Sequence, residues 1–231
     1  MNGGRLRRAL RRRFSREEAE GLTLTVGFAA CALIVLLFGL LVREVFEVSG
    51  TDLLDRNVTL WVRGVFLPGS VGAARAVSLF GSWMFLAPAT VTALVALVLK
   101  KRNVSAILFS FSVVGGFGLE TILKVVFHRL RPTLVPPYVH EMTYGFPSGH
   151  ATMATVFFGG IAAIVFHLTP RRAPRAISVV GAAAMILSVA LSRIYLGVHW
   201  LTDVAGGILV GLFWVVVSAT ATEMVAARRQ R

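Results

Sequence analysis

Six runs of apolar residues, each close to the length of a bilayer crossing, leave this chain few folds to choose from. A hydrocarbon core about 30 Å thick takes roughly 20 residues of helix to cross. The runs cover residues 22–42, 79–99, 104–127, 151–168, 176–196 and 201–222. Inside hydrocarbon every backbone N–H and C=O needs a partner within the protein, and a helix supplies those partners within one segment. The expected fold is therefore all-α, a six-transmembrane-helix bundle. Pro88 falls inside the second run and predicts a kink there. Composition agrees: 56% of residues are hydrophobic and 15% charged, against about 25% charged in a soluble domain.

The formal net charge of +13 is explained by where the cations sit. Arg5, Arg7, Arg8, Arg11, Arg12, Arg13 and Arg16 precede the first run. Lys100, Lys101 and Arg102 separate the second from the third. Arg171, Arg172 and Arg175 separate the fourth from the fifth, and Arg228, Arg229 and Arg231 follow the sixth. With six spans these groups share one side, and an excess of Lys and Arg marks the cytoplasmic side. Both termini are expected in the cytoplasm, and no nucleic-acid partner is needed to account for the charge. The first apolar run exceeds the roughly 7–15 residues of a signal h-region, so it reads as an uncleaved span. The organisation expected is a basic cytoplasmic tail over 1–21, a six-span domain over 22–222 and a second basic tail over 223–231. The single cysteine, Cys31, lies in an apolar run and allows no intrachain disulfide.

The other side holds segments 43–78, 128–150 and the turn at 197–200. Leu53, Leu54, Leu60, Trp61, Val65 and Phe66 alternate with charges and predict an amphipathic helix at headgroup depth. Together with the first two spans, it is expected to shape a lateral entrance for lipid.

Ionisable groups are costly beside a membrane and mark function there. In this chain they gather at the outer ends of the third to sixth runs. Lys124, Arg131 and Arg193 are three cations from separate segments. They repel one another unless an anion joins them, and a guanidinium fork suits phosphate oxygens. Ser148 and Gly149 precede a predicted helix, whose unpaired N–H groups favour an anion. His199 and Asp203 are four apart at another helix start and share a face. The carboxylate can hold one ring nitrogen and leave the other free to attack. His150 adds a second imidazole able to give and take a proton.

Lys124-x6-Arg131-Pro132, Pro147-Ser148-Gly149-His150 and Ser192-Arg193-x5-His199-x3-Asp203 closely resemble the three signature blocks of the type 2 phosphatidic acid phosphatase superfamily. Bacterial lipid phosphatases, eukaryotic lipid phosphate phosphatases and vanadium haloperoxidases share those blocks. The resemblance spans roughly residues 79–222, with blocks at 124–132, 147–150 and 192–203. It implies metal-independent hydrolysis of a lipid phosphate or diphosphate through a phosphohistidine, with no cofactor. His199 would be the nucleophile, His150 the general acid and then base, and Asp203 the group that orients His199. Lys124, Arg131, Ser148, Gly149 and Arg193 would bind phosphate. The site would face the extracytoplasmic side of the cell membrane. Undecaprenyl pyrophosphate, phosphatidylglycerophosphate, phosphatidate and lysophosphatidate are the substrates the resemblance offers, and the sequence does not choose among them or fix an oligomeric state.

Rival readings predict different features. A lipid phosphotransferase would pass the same phosphate to a lipid hydroxyl and needs an acceptor pocket. Haloperoxidase chemistry belongs to relatives that are typically soluble. A lipid-binding protein with a dead site would have lost a residue among His150, His199 and Asp203, and all are present. Glu120, four before Lys124, reads as part of a polar seam or else as a partner that tunes Lys124, and Glu141 reads as a solvated loop charge rather than a rim carboxylate that sorts headgroups. His128, His140 and His167 show no partner pattern. Gly207-x3-Gly211 suggests close helix packing.

Overall fold

The computed structural model describes residues 16–46, 51–65 and 68–228. The tail arginines before Arg16, Phe66, and Arg229 and Arg231 lie outside the described residues. Every regular element is helical: α1 (Arg16–Phe46), α2 (Thr51–Val65), a 3-10 turn (Pro68–Ser70), α3 (Val71–Leu79), α4 (Trp83–Leu99), α5 (Asn103–Phe127), α6 (Gly149–Leu168), α7 (Arg172–Tyr195) and α8 (Leu201–Arg228). Six helical stretches are long and apolar enough to span a membrane: Gly21–Phe46, Val71–Leu99, Asn103–Phe127, Gly149–Leu168, Arg172–Tyr195 and Leu201–Val225. The chain is a multi-pass membrane protein. The second span begins earlier than its hydropathy suggests, because α3 leads into α4 through a turn at residues 80–82.

Burial follows position in the bundle. In α1 the large apolar side chains face outward, Phe28 being 78% exposed. A helix apolar all round suits lipid on one side and protein on the other. In α6, by contrast, Ala151 to Phe157 are all buried, and this helix packs against α5, α7 and α8. Small residues set the approach of α6 to α8. A Cβ on Gly207 would stand 2.5 Å from the Ser148 carbonyl oxygen, and one on Gly211 would stand 2.5 Å from Thr155 Cβ. Close backbone contact through glycine is how helices associate where no hydrophobic force drives them together.

Several threonine hydroxyls inside the spans are satisfied locally, while those of Ser112 and Ser218 are buried without a partner. Thr152, Thr155 and Thr222 each donate to the carbonyl four residues back, which keeps a polar atom bonded in an apolar setting. Pro88 sits within α4, and Thr92 donates to its carbonyl.

Two apolar clusters hold the bundle. One joins Leu86, Phe109, Val113, Met153, Val156 and Phe157 from α4, α5 and α6. The other lies at the site end and joins Val62 of α2 to Ala151, Ala190, Ile194, Leu196 and Val204. Thus α2 is amphipathic as expected, with Trp61 62% exposed and Leu53 70% exposed. Its other face buries Asp55, Thr59 and Val62 against α7 and α8.

Candidate active site

The third span ends where His128 takes a left-handed conformation, φ 47°, and turns the chain out of α5. The loop 128–148 then folds back over the bundle end. Gly145 N–H donates to the Arg129 carbonyl, Tyr138 N–H to Leu196, and Ser148 N–H to Asp203. Arg63 of α2 stacks on Tyr138 and donates to the Tyr195 and Pro136 carbonyls, while Arg75 of α3 donates to the Tyr138 carbonyl. Gly197, at φ +76°, makes the turn between α7 and α8 beside Arg63, where a Cβ would meet the guanidinium at 2.5 Å. Only glycine takes that conformation without strain.

These ties bring the first turns of α6 and α8 together. His199 is buried just before α8, its Nδ1 3.4 Å from Asp203 Oδ2. The backbone N–H of Trp200 donates to that same oxygen at 2.9 Å. On the far side of the ring, His199 Nε2 lies 3.1 Å from Arg131 NH1. A guanidinium only donates, so Nε2 must carry the lone pair and Nδ1 the proton. The arrangement selects the tautomer whose free nitrogen faces the cations. Burial first, then Arg131, Arg193 and Lys124, holds His199 well below its ordinary pKa of 6.5. The ring is therefore neutral near pH 7.

Arg131 touches that nitrogen, and Arg193 and Lys124 add their charge from the same end of the bundle. Arg131 donates to the carbonyls of Thr143 and Val198 and is 3.9 Å from Glu141. Lys124 bonds Thr143 Oγ1 and the Tyr144 carbonyl and pairs with Glu120 at 3.2 Å. Glu120 thus serves the cation directly. Arg193 is 3% exposed, donates to Ser78 Oγ and forms a close ion pair with Glu141. Burial opposes ionisation of Glu141, but Arg193, His150 and Arg131 outweigh it and hold the carboxyl below its usual range. The expectation of a solvated loop charge is corrected here: Glu141 is a half-buried anion on the cavity wall, paired with Arg193 and 3.9 Å from Arg131. Ser192 donates to the Val189 carbonyl and is spent on its own helix.

Two donors in this cluster are left over. Arg193 Nε and Ser148 Oγ are buried with no hydrogen-bond partner within the protein. Ser148 stands at the N-cap of α6, where serine ordinarily accepts from the helix N–H groups, yet it makes no such bond. A cavity of about 890 Å³ lies at the same end of the bundle, and neither donor lines it. Lys124, Arg131, Glu141, Gly149 and His150 line it, together with Trp83, Phe117, Val125 and Met142. His199 lies one layer beneath, behind Arg131.

All eight residues singled out in the sequence therefore meet at one end of the bundle. Residues 104–226, more than half of the chain, match the PAP2 superfamily. The chain belongs to that superfamily. PAP2 relatives include phosphatidylglycerophosphatase B of Bacillus subtilis, 39% identical over 41% of this chain and 46% of the relative. Another is an undecaprenyl-diphosphatase of Sulfolobus acidocaldarius, 34% identical over 52% of this chain and 56% of the relative. The chain thus aligns with about half the length of these curated relatives. The PAP2 fold extends further than these alignments. The crystal structure of a transmembrane PAP2-type phosphatidylglycerolphosphate phosphatase from Bacillus subtilis superposes with a TM-score of 0.77 at 24% identity, covering 84% of this chain and 96% of that one.

Three features around the PAP2 signature residues were not foreseen. Ser78 supports Arg193, and Arg129 lies between Asp203 and Asp55. The lateral entrance differs from expectation in part. Residues 81–83 of the second span wall the cavity together with α5, whereas the described residues of α1 and α2 line none of it. Instead Phe38 and Phe46 of α1 pack on Phe127 and Phe146, and α2 is held by its buried polar face.

Proposed function

We propose that this chain removes phosphate from a membrane lipid at the extracytoplasmic face, through a phosphohistidine on His199. The observation that carries the reading is the pair of unpartnered buried donors, Arg193 Nε and Ser148 Oγ, in a cluster where Arg131 meets the lone-pair nitrogen of His199 and Arg193 and Lys124 add their charge. Such a set fits the oxygens of a phosphoryl group and favours the charge that develops on them in the transition state.

Arg131 exchanges Nε2 for a phosphate oxygen, His199 Nε2 attacks phosphorus, the bond from phosphorus to the lipid oxygen breaks, and a protonated His150 gives its proton to the departing alkoxide. Asp203 holds the Nδ1 proton throughout. In the second step His150 takes a proton from water, water oxygen bonds phosphorus, and the P–N bond breaks to release inorganic phosphate and restore His199. Glu141 leaves Arg193 when phosphate arrives, because the two anions compete for one guanidinium.

A lipid substrate is supported by the cavity wall. Trp83 and Phe117 stack edge to face at 4.9 Å, and Met142 and Val125 are exposed beside them. Sidedness is supported by Lys100, Lys101, Arg102, Arg171, Arg172 and Arg175 at the opposite end. The relatives' names make phosphatidylglycerophosphate and undecaprenyl diphosphate the first lipids to try.

The test is phosphate release from these lipids and from phosphatidate in detergent micelles containing a chelator, with wild type beside His199→Ala. Release that survives chelation and is lost in the variant is expected, and the fastest lipid identifies the substrate class. Equal release by the variant, or none from any lipid with wild type, would overturn the reading.

A further inference from the structure

We propose that Arg129 and Asp55 are positioning residues that set the nucleophile through Asp203, so that the amphipathic helix α2 is part of the catalytic apparatus. The inference rests on the reading of His199 as nucleophile.

Asp203 is fully buried and has two jobs for its two oxygens. Oδ2 receives the Trp200 N–H and faces His199 Nδ1. Oδ1 is held by Arg129 NH1, which also donates to Thr202 Oγ1 at 2.7 Å. Arg129 NH2 pairs with Asp55 Oδ2 at 3.0 Å. Asp55 in turn accepts the Thr202 backbone N–H at 3.0 Å and the Thr202 hydroxyl at 2.6 Å. One carboxylate at each end pins the guanidinium in its plane, which leaves Oδ2 of Asp203 to the Trp200 N–H and the His199 ring. Both terminal nitrogens of Arg129 are occupied. Although its side chain reaches the cavity wall, its terminal nitrogens are committed to two carboxylates, whereas Arg193 keeps a buried Nε without a partner. Asp55 is buried at 1% exposure on a short helix whose opposite face is apolar and exposed. A buried carboxylate there is costly unless fully paired, and its partners belong to the loop before the site and the first turn of α8. Partners that orient an active group in this way typically change its performance by about 10–100-fold when removed.

The experiment compares wild type, Arg129→Gln, Arg129→Lys, Asp55→Asn and His199→Ala on the fastest lipid, each checked for monodispersity in detergent. In Arg129→Gln, kcat should fall about 100-fold with KM within about threefold, and Arg129→Lys, which restores the charge without the fork, should recover only part of the loss. Asp55→Asn, which keeps the shape and an acceptor for Thr202, should lower kcat by about fivefold or more. It reports even where Arg129→Gln does not fold.

The acid limb of kcat/KM should also move to higher pH in Arg129→Gln. The groups facing His199 and the cavity from other elements are Lys124 and Glu120 of α5, Arg131 and Glu141 of the loop, His150 of α6 and Arg193 of α7, and none of them changes. Loss of the Arg129 charge leaves Asp203 uncompensated beside the ring, so His199 protonates more readily. A merely structural arginine would lower yield and leave this limb in place. Wild-type kcat and pH profile in Asp55→Asn, or a change in KM alone in Arg129→Gln, would overturn the proposal. Should His199→Ala equal wild type, the phosphohistidine reading itself fails. Should His199→Ala be dead while the other variants match wild type, only the positioning proposal fails.

Discussion

Ser148 is a buried hydroxyl that neither caps its helix nor bonds any neighbour. Leaving a buried donor unmade costs about 1–3 kcal/mol, a cost that phosphate would remove. Ser148→Ala should therefore leave thermal stability in detergent unchanged or higher, while weakening inhibition by inorganic vanadate about tenfold. Lower stability with unchanged inhibition would make Ser148 a packing residue. Glu141 acts in the opposite sense, as an anion already seated on Arg193. Glu141→Gln should tighten vanadate inhibition, again about tenfold, because the ligand no longer displaces a charged partner. Weaker inhibition in that variant would place Glu141 on the side of ligand binding.

For His199 the sign of the pH effect is fixed by burial and by the cations, which favour the neutral ring. The neutral form attacks, so activity is lost only as pH falls through a value well below 6.5. With an aryl phosphate, whose leaving group needs no proton, the rate of phosphoenzyme formation should stay flat as pH falls through 6.5. A halving near pH 6.5 would show an imidazole in an ordinary environment.

Among the elements, the α6–α8 pair governs the site, since Ser148 N–H bonds the Asp203 carbonyl between their first turns. Gly211→Leu inserts a side chain where a Cβ already meets Thr155 at 2.5 Å. It should lower stability by several kcal/mol, at or above the 1–3 kcal/mol, roughly, of ordinary overpacking, and abolish activity, read by thermal melting and phosphate release. Intact melting would show that the helices separate without consequence. The loop 128–148 has no regular structure and depends on Arg63, Arg75 and the Arg129 carbonyl for its shape.

At the scale of the molecule, the two ends of the bundle differ in chemistry. One carries the cavity and the amphipathic α2. The other carries the connecting basic turns and a 2.8 Å hydrogen bond between His167 and Glu223, a partner that the sequence did not reveal for this histidine. In a Cys31→Ala background, a cysteine at position 172 should react with an impermeant thiol reagent only after the membrane is opened. A cysteine at the exposed His140 should react in intact cells. The reverse pattern would place the site on the cytoplasmic side.

The sequence by itself determined the number of spans, the all-helical class and the residues that meet at the site. Hydropathy acts over one turn-by-turn segment, and the price of a charge beside lipid singles out Lys124, Arg131, Arg193, His199 and Asp203 one by one. Pairs within one helix, such as Glu120 with Lys124, were open to the same local reading. Tertiary structure alone decided the rest. Asp55 meets Arg129 across 74 positions and Thr202 across 147, Ser78 meets Arg193 across 115, and Glu141 meets it across 52. No periodicity records such meetings, because each depends on how separate helices stack and where an irregular loop returns. For the same reason Glu141 looked like a solvent charge and α2 like a lipid gate. Each was read from its own segment, and each owes its role to a partner supplied by another.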